Sequence, residues 1–342
     1  MTNRRWLLAQ RPSASVSRET FSYEEQPTAS GTPHEGRVRL RYELLLCAPT
    51  IRNWISGNRD SYYPTVEIGD VVSAPAIGWI VESVDPQWPV GARVVAFGGW
   101  QDEQWVDPRK NGLRIIPNGI SSVDAFGIAG MNALTAYFGL LHVARAQPGE
   151  VVLVSGAAGS VGSIAAQIAR IKGCRVIALC GGAEKADWLR NACAIADVID
   201  YKSENIDARL EALSPDGIDV FFDNVGGTLL PQAVSRMRRH GRVALCGQIA
   251  TYDSGASNPP LDMMRIIYGA IRLEGFLVSD FAEQYDAATT ELLQWRGQGL
   301  IAHREDVRPG FDKIPQTFAA LFDGSNTGTL IARIADENGQ PI

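Results

Sequence analysis

The run VVLVSGAAGSVGS at positions 151–163 constrains this chain more than any other feature. Val151 to Val154 read as a buried strand, and Gly156 to Gly159 are small enough for a tight bend. Val161, Ile164, Ala165, Ile168 and Ala169 then recur at the spacing of one helical face. A strand that feeds a helix through a small-residue bend opens a parallel sheet covered by helices on both faces. From Glu150 to Val278 the alternation continues, with strand candidates at 151–155, 175–179, 197–200, 219–223, 241–246 and 272–278. The fold class expected is therefore α/β, with a doubly wound parallel sheet of six strands.

Before Glu150 the pattern changes to β segments punctuated by glycine and proline, at 36–47, 76–84 and 93–97, which read as a partly antiparallel, β-rich domain. The closing stretch reads as a helix at 312–323 and a strand at 329–334, placed to return to that first domain. A chain of 342 residues is long for a single core, so two domains are expected. We place the β-rich domain at 1–124 and 300–342, and the doubly wound domain at 125–299.

Charge and cysteine usage narrow the function. With 32 Lys+Arg against 38 Asp+Glu, the formal charge of -6 has the wrong sign for nucleic acid or an anionic membrane. The odd set Cys47, Cys174, Cys180, Cys193 and Cys246 contains no C-x-x-C pair, which points to a reducing, cytoplasmic setting. The apolar stretch at 6–9 is too short for a signal-peptide core. The charge-free stretches 125–144 and 151–169 approach spanning length, but glycines and polar residues interrupt both, so no membrane partner is expected.

The bend carries Ala157-x-Gly159-x-x-Gly162, with Ser160 and Val161 opening the helix. Small residues there let the backbone approach a pyrophosphate, and the helix N-terminus supplies N–H donors and a positive dipole. The competing reading is a tight turn that binds no nucleotide. An NAD site needs an acid at the end of the second strand to take the ribose hydroxyls. Here that strand ends Leu179-Cys180-Gly181-Gly182, with Lys185 and Lys202 nearby, which favours a 2′-phosphate and hence NADPH. Glu184 argues the other way, although an acid in a first helical turn also suits the helix dipole.

A catalytic zinc wants three protein ligands and an open position. Cys47 has no histidine downstream in Glu67-Ile68-Gly69-Asp70, and His34, His142, His240 and His303 stand alone, so no metal is expected. No G-x-S-x-G elbow occurs, which disfavours a serine hydrolase. A metal-free nicotinamide enzyme relies on hydrogen-bond donors at the developing oxyanion, which suits conjugate reduction better than alcohol oxidation.

Longer stretches carry a resemblance: AIGWIVES (76–83), GMNALTAYFGLL (130–141), VFFDNVGG (220–227), LCGQIATYD (245–253), LEGFLVSD (273–280) and GSNTGTL (324–330). With the glycine bend, these resemble the zinc-independent medium-chain dehydrogenase/reductases of the leukotriene B4 12-hydroxydehydrogenase/15-oxoprostaglandin 13-reductase family, which includes alkenal double-bond reductases and curcumin reductase-like enzymes. The resemblance implies a Rossmann domain for NADPH and a GroES-like β-rich catalytic domain. It implies that Lys185 and Tyr201 hold the 2′-phosphate, Met131 and Thr135 lie near the nicotinamide, and Asn224 contacts the ribose region. It further implies that Cys246, Gly247 and Tyr252 line the cleft, Phe276 and Val278 pack beside the nicotinamide, and Asn326 meets cofactor phosphate. For Met131, Phe276 and Val278 the alternative is plain core packing. The chain departs from the family where Asp-Pro-Tyr-Met-Arg becomes Ala48-Pro49-Thr50-Ile51-Arg52. Thr50 and Arg52 would then border the substrate pocket, with Tyr62, Tyr63 and Trp54 near enough in sequence to refill the space.

The resulting expectation is hydride delivery from NADPH to the β-carbon of an enone-type small molecule, with Tyr252 holding the carbonyl oxygen. A surface role for Tyr252 competes with that reading. Two rivals remain: a quinone or carbonyl reductase on the same scaffold, and a non-catalytic NADPH-binding protein. The β-prone run 266–278 at the sheet edge suggests a homodimer.

Overall fold

The computed structural model of the chain describes residues 2–13, 15–28, 36–58, 65–252, 259–336, 339–340 and 342. The chain divides into two compact units, Met1–Ala125 with Glu305–Ile342, and Phe126–Arg304. In chain order the first unit opens with strands β1 (Thr2–Leu8), β2 (Phe21–Pro27), β3 (Val38–Leu46), β4 (Ser73–Glu82), β5 (Arg93–Gly99), β6 (Glu103–Val106) and β7 (Arg114–Ile115). The second unit holds β8 (Val151–Val154), β9 (Arg175–Cys180), β10 (Asp197–Asp200), β11 (Ile218–Asp223), β12 (Met237–Leu245) and β13 (Arg272–Gly275). Strands β14 (Glu305–Pro309) and β15 (Thr329–Arg333) rejoin the first unit.

The second unit is built on one six-stranded sheet in the order β10-β9-β8-β11-β12-β13, every pair parallel. The order reverses between β8 and β11, which is where such sheets open a crevice at the carboxyl ends of their strands. Alternation of side chains explains the apolar runs. Val152, Val154 and Phe222 pack with Leu134, Phe138, Ile164 and Ile168 on one face, while Val151, Leu153 and Phe221 pack with Leu210 and Val234 on the other. A sheet covered on both faces leaves no solvent side for polar residues. Each fully buried Leu or Phe among them contributes about 1.5–3 kcal/mol.

Three local expectations change. Strand β12 starts at Met237, four residues before the expected glycine, and its pairing with β11 shifts register between Ile218 and Val220. Strand β13 stops at Gly275, so Phe276 and Val278 lie beyond it. The Asp280 carboxylate accepts from Leu277 N (3.3 Å) and the Tyr285 hydroxyl donates to Val278 O (2.9 Å), drawing Val278–Gln284 into 3-10 turns. The β-prone run 266–278 is helical in its first part, Met263–Gly269. Asp262 caps that helix by accepting from Met264 N (2.9 Å) and Arg265 N (3.2 Å), which outweighs the β propensity of the two isoleucines.

The stretch Ser122–Val143 meets the length and hydropathy of a membrane span. Its side chains Ala133, Leu134, Ala136, Phe138 and Leu140 are instead buried in the core of the second unit, beside the helix Ser160–Ile171.

In the first unit a seven-stranded sheet runs β14-β15-β3-β4-β5-β7, with β6 also on β3. Strand β15 pairs antiparallel with β3, Ile331 opposite Leu46, and so carries the chain end back to the β-rich core. Trp6, Tyr42, Trp100, Phe311 and Phe318 fill that core, and the Trp6 indole donates to Phe311 O (2.9 Å). The buried Glu43 carboxylate accepts from Ser122 Oγ (2.7 Å) and pairs with Arg333 (3.0 Å), fastening β3 to β15 through a charge that would be costly unpaired.

Candidate active site

The bend after β8 is shaped by backbone contacts. Gly156 takes a φ of +58°, which favours glycine, and its carbonyl accepts from Gly159 N (2.9 Å). A Cβ on Gly162 would lie 2.3 Å from Gly156 O and 2.9 Å from Ala157 Cα, so the helix seats against the bend only because that position is bare. Ala157 is buried and its N–H donates to Leu179 O (2.9 Å), tying the bend to β9. Gly159 is the N-cap of Ser160–Ile171, leaving the N–H groups of Ser160, Val161 and Gly162 without intrahelical acceptors. The Asn132 side-chain amide donates to Ser160 Oγ (2.6 Å) and fixes the start of the helix Met131–Phe138 beside them.

A buried polar knot supports this bend. The Ser155 hydroxyl donates to Asp223 Oδ1 (2.7 Å) and accepts from Asn224 N (2.8 Å), while the Asn224 side-chain amide donates to Ser155 O (2.8 Å). Asp223 Oδ1 also accepts from Val225 N (3.0 Å) and Gly226 N (3.1 Å). Burial raises the Asp223 carboxyl above its ordinary range, against the lowering effect of these donors. Cys246 N and Gly247 N donate to Asp223 O (2.8 and 3.1 Å), and burial pushes the Cys246 thiol up to about 12. The Tyr252 hydroxyl accepts from Gln248 N (3.2 Å) and lies close to Gly247. Asn224, Cys246, Gly247 and Tyr252 thus converge at the carboxyl ends of β11 and β12.

The ends of β9 and β10 form a second cluster. Lys185 is half-buried, and burial first, then the nearby Lys202 and Arg304 cations, lower its pKa. Burial raises the Tyr201 hydroxyl, whose oxygen would touch a Cβ on Gly181 at 2.5 Å. The Arg304 guanidinium stacks over Trp188 (4.6 Å to the ring centroid) and faces the Glu184 carboxylate at 3.7 Å. One expectation is corrected here: a carboxylate does reach the end of β9. Asp200 ends β10 opposite Cys180, and its Oδ1 accepts from Gly182 N (2.7 Å) and Lys202 N (3.0 Å), its Oδ2 from Ser203 Oγ (2.9 Å). The β9 sequence alone could not reveal it, because it comes from the neighbouring strand.

Other expected residues fall as follows. Met131, Phe276 and Val278 are partly buried against the core of the second unit. Phe276 meets Phe222 edge to face (6.5 Å) and rests on Gly139, where a Cβ would lie 2.4 Å from its ring. The Thr135 hydroxyl donates to Met131 O (2.8 Å), within its own helix. In the first unit Thr50 starts the helix Ile51–Trp54, and Arg52 is buried, reaching Pro12 O at 3.4 Å. Cys47 is buried there, and burial pushes its thiol up to about 12. Asn326, also in the first unit, donates to Gly328 O (3.2 Å). Tyr62 and Tyr63 lie outside the described residues.

Sequence reasoning missed Ser155, Asp223, Asp200 and Arg304. Asp223 had a readable sign, an acid closing the otherwise apolar VFFD run. Asp200 and Arg304 had none, since strand order and a packed Trp188 ring bring them to the site.

Two family models match, one described as the N-terminal domain of oxidoreductase over residues 4–114, the other as zinc-binding dehydrogenase over 160–295. The chain is 32% identical to the NADPH-dependent curcumin reductase of Escherichia coli (strain K12), covering 98% of each chain. The chain belongs to the medium-chain dehydrogenase/reductases, in the group of curcumin, prostaglandin and alkenal reductases. Within this group it is 31% identical to the 2-alkenal reductase (NADP(+)-dependent) of Nicotiana tabacum, over 86% of each chain. The crystal structure of CurA from Vibrio vulnificus in complex with NADPH superposes with a TM-score of 0.89 at 29% identity, covering 96% of this chain and 98% of that one.

Proposed function

We propose that this protein is an NADPH-dependent, zinc-independent reductase of activated carbon–carbon double bonds, acting on α,β-unsaturated ketones or aldehydes. The observation that carries the cofactor is the bare bend at 156–162 followed by a β9 end where Lys185 and Lys202 gather and Asp200 is already engaged by backbone donors. The names of the relatives, a curcumin reductase that depends on NADPH and a 2-alkenal reductase that depends on NADP(+), support both cofactor and reaction. The residues present fit the dinucleotide: a cradle that a Cβ would fill, the N–H groups of a helix start, and cations for an added phosphate. The second unit is then the NADPH-binding domain, near the boundaries 125–299 drawn from sequence, and the first unit the substrate domain.

When bound, NADPH supplies the hydride. The N–H groups of Ser160, Val161 and Gly162 hold the diphosphate, with Ala157 and Gly159 giving it room. Lys185 and Tyr201 hold the 2′-phosphate, Asn224 borders the ribose, Cys246 lines the cleft beside it, and Met131, Thr135, Phe276 and Val278 lie near the nicotinamide. In the substrate domain Thr50 and Arg52 border the substrate. The Tyr252 phenol, held near Gly247 by the Gln248 N–H, donates to the substrate carbonyl oxygen and stabilises the enolate.

The decisive experiment is steady-state turnover of NADPH with an enone, a quinone and a simple ketone. Enone reduction is expected, and Tyr252→Phe should lower kcat for it by about 10²-fold. Activity confined to quinones would sink the enone reading and favour the rival that Thr50, in place of the family's tyrosine, keeps alive. NADPH binding without turnover of any of the three would favour a non-catalytic role.

All five cysteines are free thiols, which supports a cytoplasmic setting. A homodimer is supported by Met263, Ile267 and Tyr268, which are 61%, 61% and 73% exposed on the helix leading into edge strand β13. Light scattering should give twice the chain mass for the native protein and a monomer for Ile267→Asp with Tyr268→Asp; a monomeric native protein ends that proposal.

A further inference from the structure

The ends of β9 and β10 are separate in sequence, yet one carboxylate ties them. Asp200 Oδ1 receives the N–H of Gly182, on the loop that leads into Lys185, and the N–H of Lys202, on the loop that carries Tyr201. Its second oxygen receives the Ser203 hydroxyl at 2.9 Å, and its own N–H donates to Glu204 Oε2 at 2.8 Å. Tyr201 N donates to Cys180 O (3.0 Å), so the two strands stay paired through the junction. Gly182 has a φ of +102°, a conformation that favours glycine, and a Cβ on Gly181 would lie 2.5 Å from the Tyr201 hydroxyl.

An acid beside the second strand of a dinucleotide fold invites the reading that it takes ribose hydroxyls and selects NADH. Geometry argues otherwise. Three donors already occupy the carboxylate, all from the protein, and they come from both phosphate-facing loops. A carboxylate used in this way acts as a clamp, holding charge-assisted bonds that are shorter and stronger than neutral ones.

We infer that Asp200 is the positioning residue of the 2′-phosphate site, clamping Gly182 at the start of the helix Ala183–Asn191 to the Tyr201–Ser203 loop so that Lys185, Tyr201 and Lys202 face one phosphate. This rests on the NADPH reading above. Asparagine keeps one oxygen with two lone pairs, enough for Gly182 N and Lys202 N, whereas alanine keeps none.

Calorimetric affinities for NADPH and NADH, measured on the native protein, Asp200→Asn, Asp200→Ala and Gly181→Ala, test it. The NADPH:NADH affinity ratio is expected to fall about tenfold in Asp200→Ala and to stay within about threefold of native in Asp200→Asn. Gly181→Ala should also lower the ratio about tenfold, by displacing the Tyr201 hydroxyl, and it serves if Asp200→Ala does not fold. An unchanged or increased ratio in Asp200→Ala, or in Gly181→Ala if that alone folds, overturns the clamp. A native protein with no preference for NADPH overturns the underlying reading as well, and this is visible before any variant is made.

Discussion

The bend after β8 and the paired ends of β9 and β10 both face the crevice edge of one sheet, and they are held in opposite ways. The bend is held from inside, by the buried Ser155–Asp223–Asn224 knot and by a helix that touches it where Gly162 has no side chain. The β9 and β10 ends are held from the surface, by Asp200 and its three donors. The difference teaches where tolerance lies. A site made of backbone packed on backbone admits no substitution, whereas a site made of surface hydrogen bonds gives up selectivity before it gives up the fold.

The largest effect should come from Gly162→Val. With a Cβ placed 2.3 Å from Gly156 O, the bend and helix cannot both keep their positions. Dinucleotide binding should vanish in calorimetry and stability should drop by more than about 3 kcal/mol in chemical unfolding. Retained NADPH binding in Gly162→Val would break the contrast at its rigid end. A smaller loss is expected from Asp223→Ala, which strands the Ser155 hydroxyl and the Val225 and Gly226 amides inside the protein, at about 3 kcal/mol. Asp223→Asn keeps one acceptor oxygen and should cost about 1 kcal/mol. Equal losses for the two would mean that the knot works through packing rather than through its acceptor.

The same contrast separates what the sequence reveals from what it hides. The bend is legible because its chemistry is local: an apolar strand, small residues and a helical stripe sit next to one another within about twenty residues. The parallel sheet is legible for the same reason, since apolar runs buried on two faces have nowhere polar to point. The ends of β9 and β10 are not, because β10 brings Asp200 to Gly182 from eighteen residues away. Reading β9 alone therefore found no acid where the fold supplies one. The helix Met263–Gly269 was hidden by a different cause, a single capping aspartate that overrides β-prone side chains. The residues around Thr50 are placed in the β-rich unit, but their chemistry depends on partners that neither spacing nor period encodes.

The smallest effect concerns the charge on Asp200. The Gly182 N–H, followed by those of Lys202 and the Ser203 hydroxyl, holds its carboxyl below the ordinary value of 3.8. The unfolded chain lacks these donors, so the folded state binds this proton more weakly than the unfolded one. Asp200 therefore adds stability at pH above about 4, and that contribution fades as the pH falls through its lowered folded pKa. Asp200→Asn carries no titrating group, so the stability gap between native protein and variant should shrink as urea unfolding is repeated from pH 6 down to pH 3. Solvent screening at this exposed end keeps the change well under about 1 kcal/mol. A gap that stays flat across this range would show that the clamp depends on the oxygen's position and not on its charge, which would leave Asp200→Asn and the native protein interchangeable at the phosphate site.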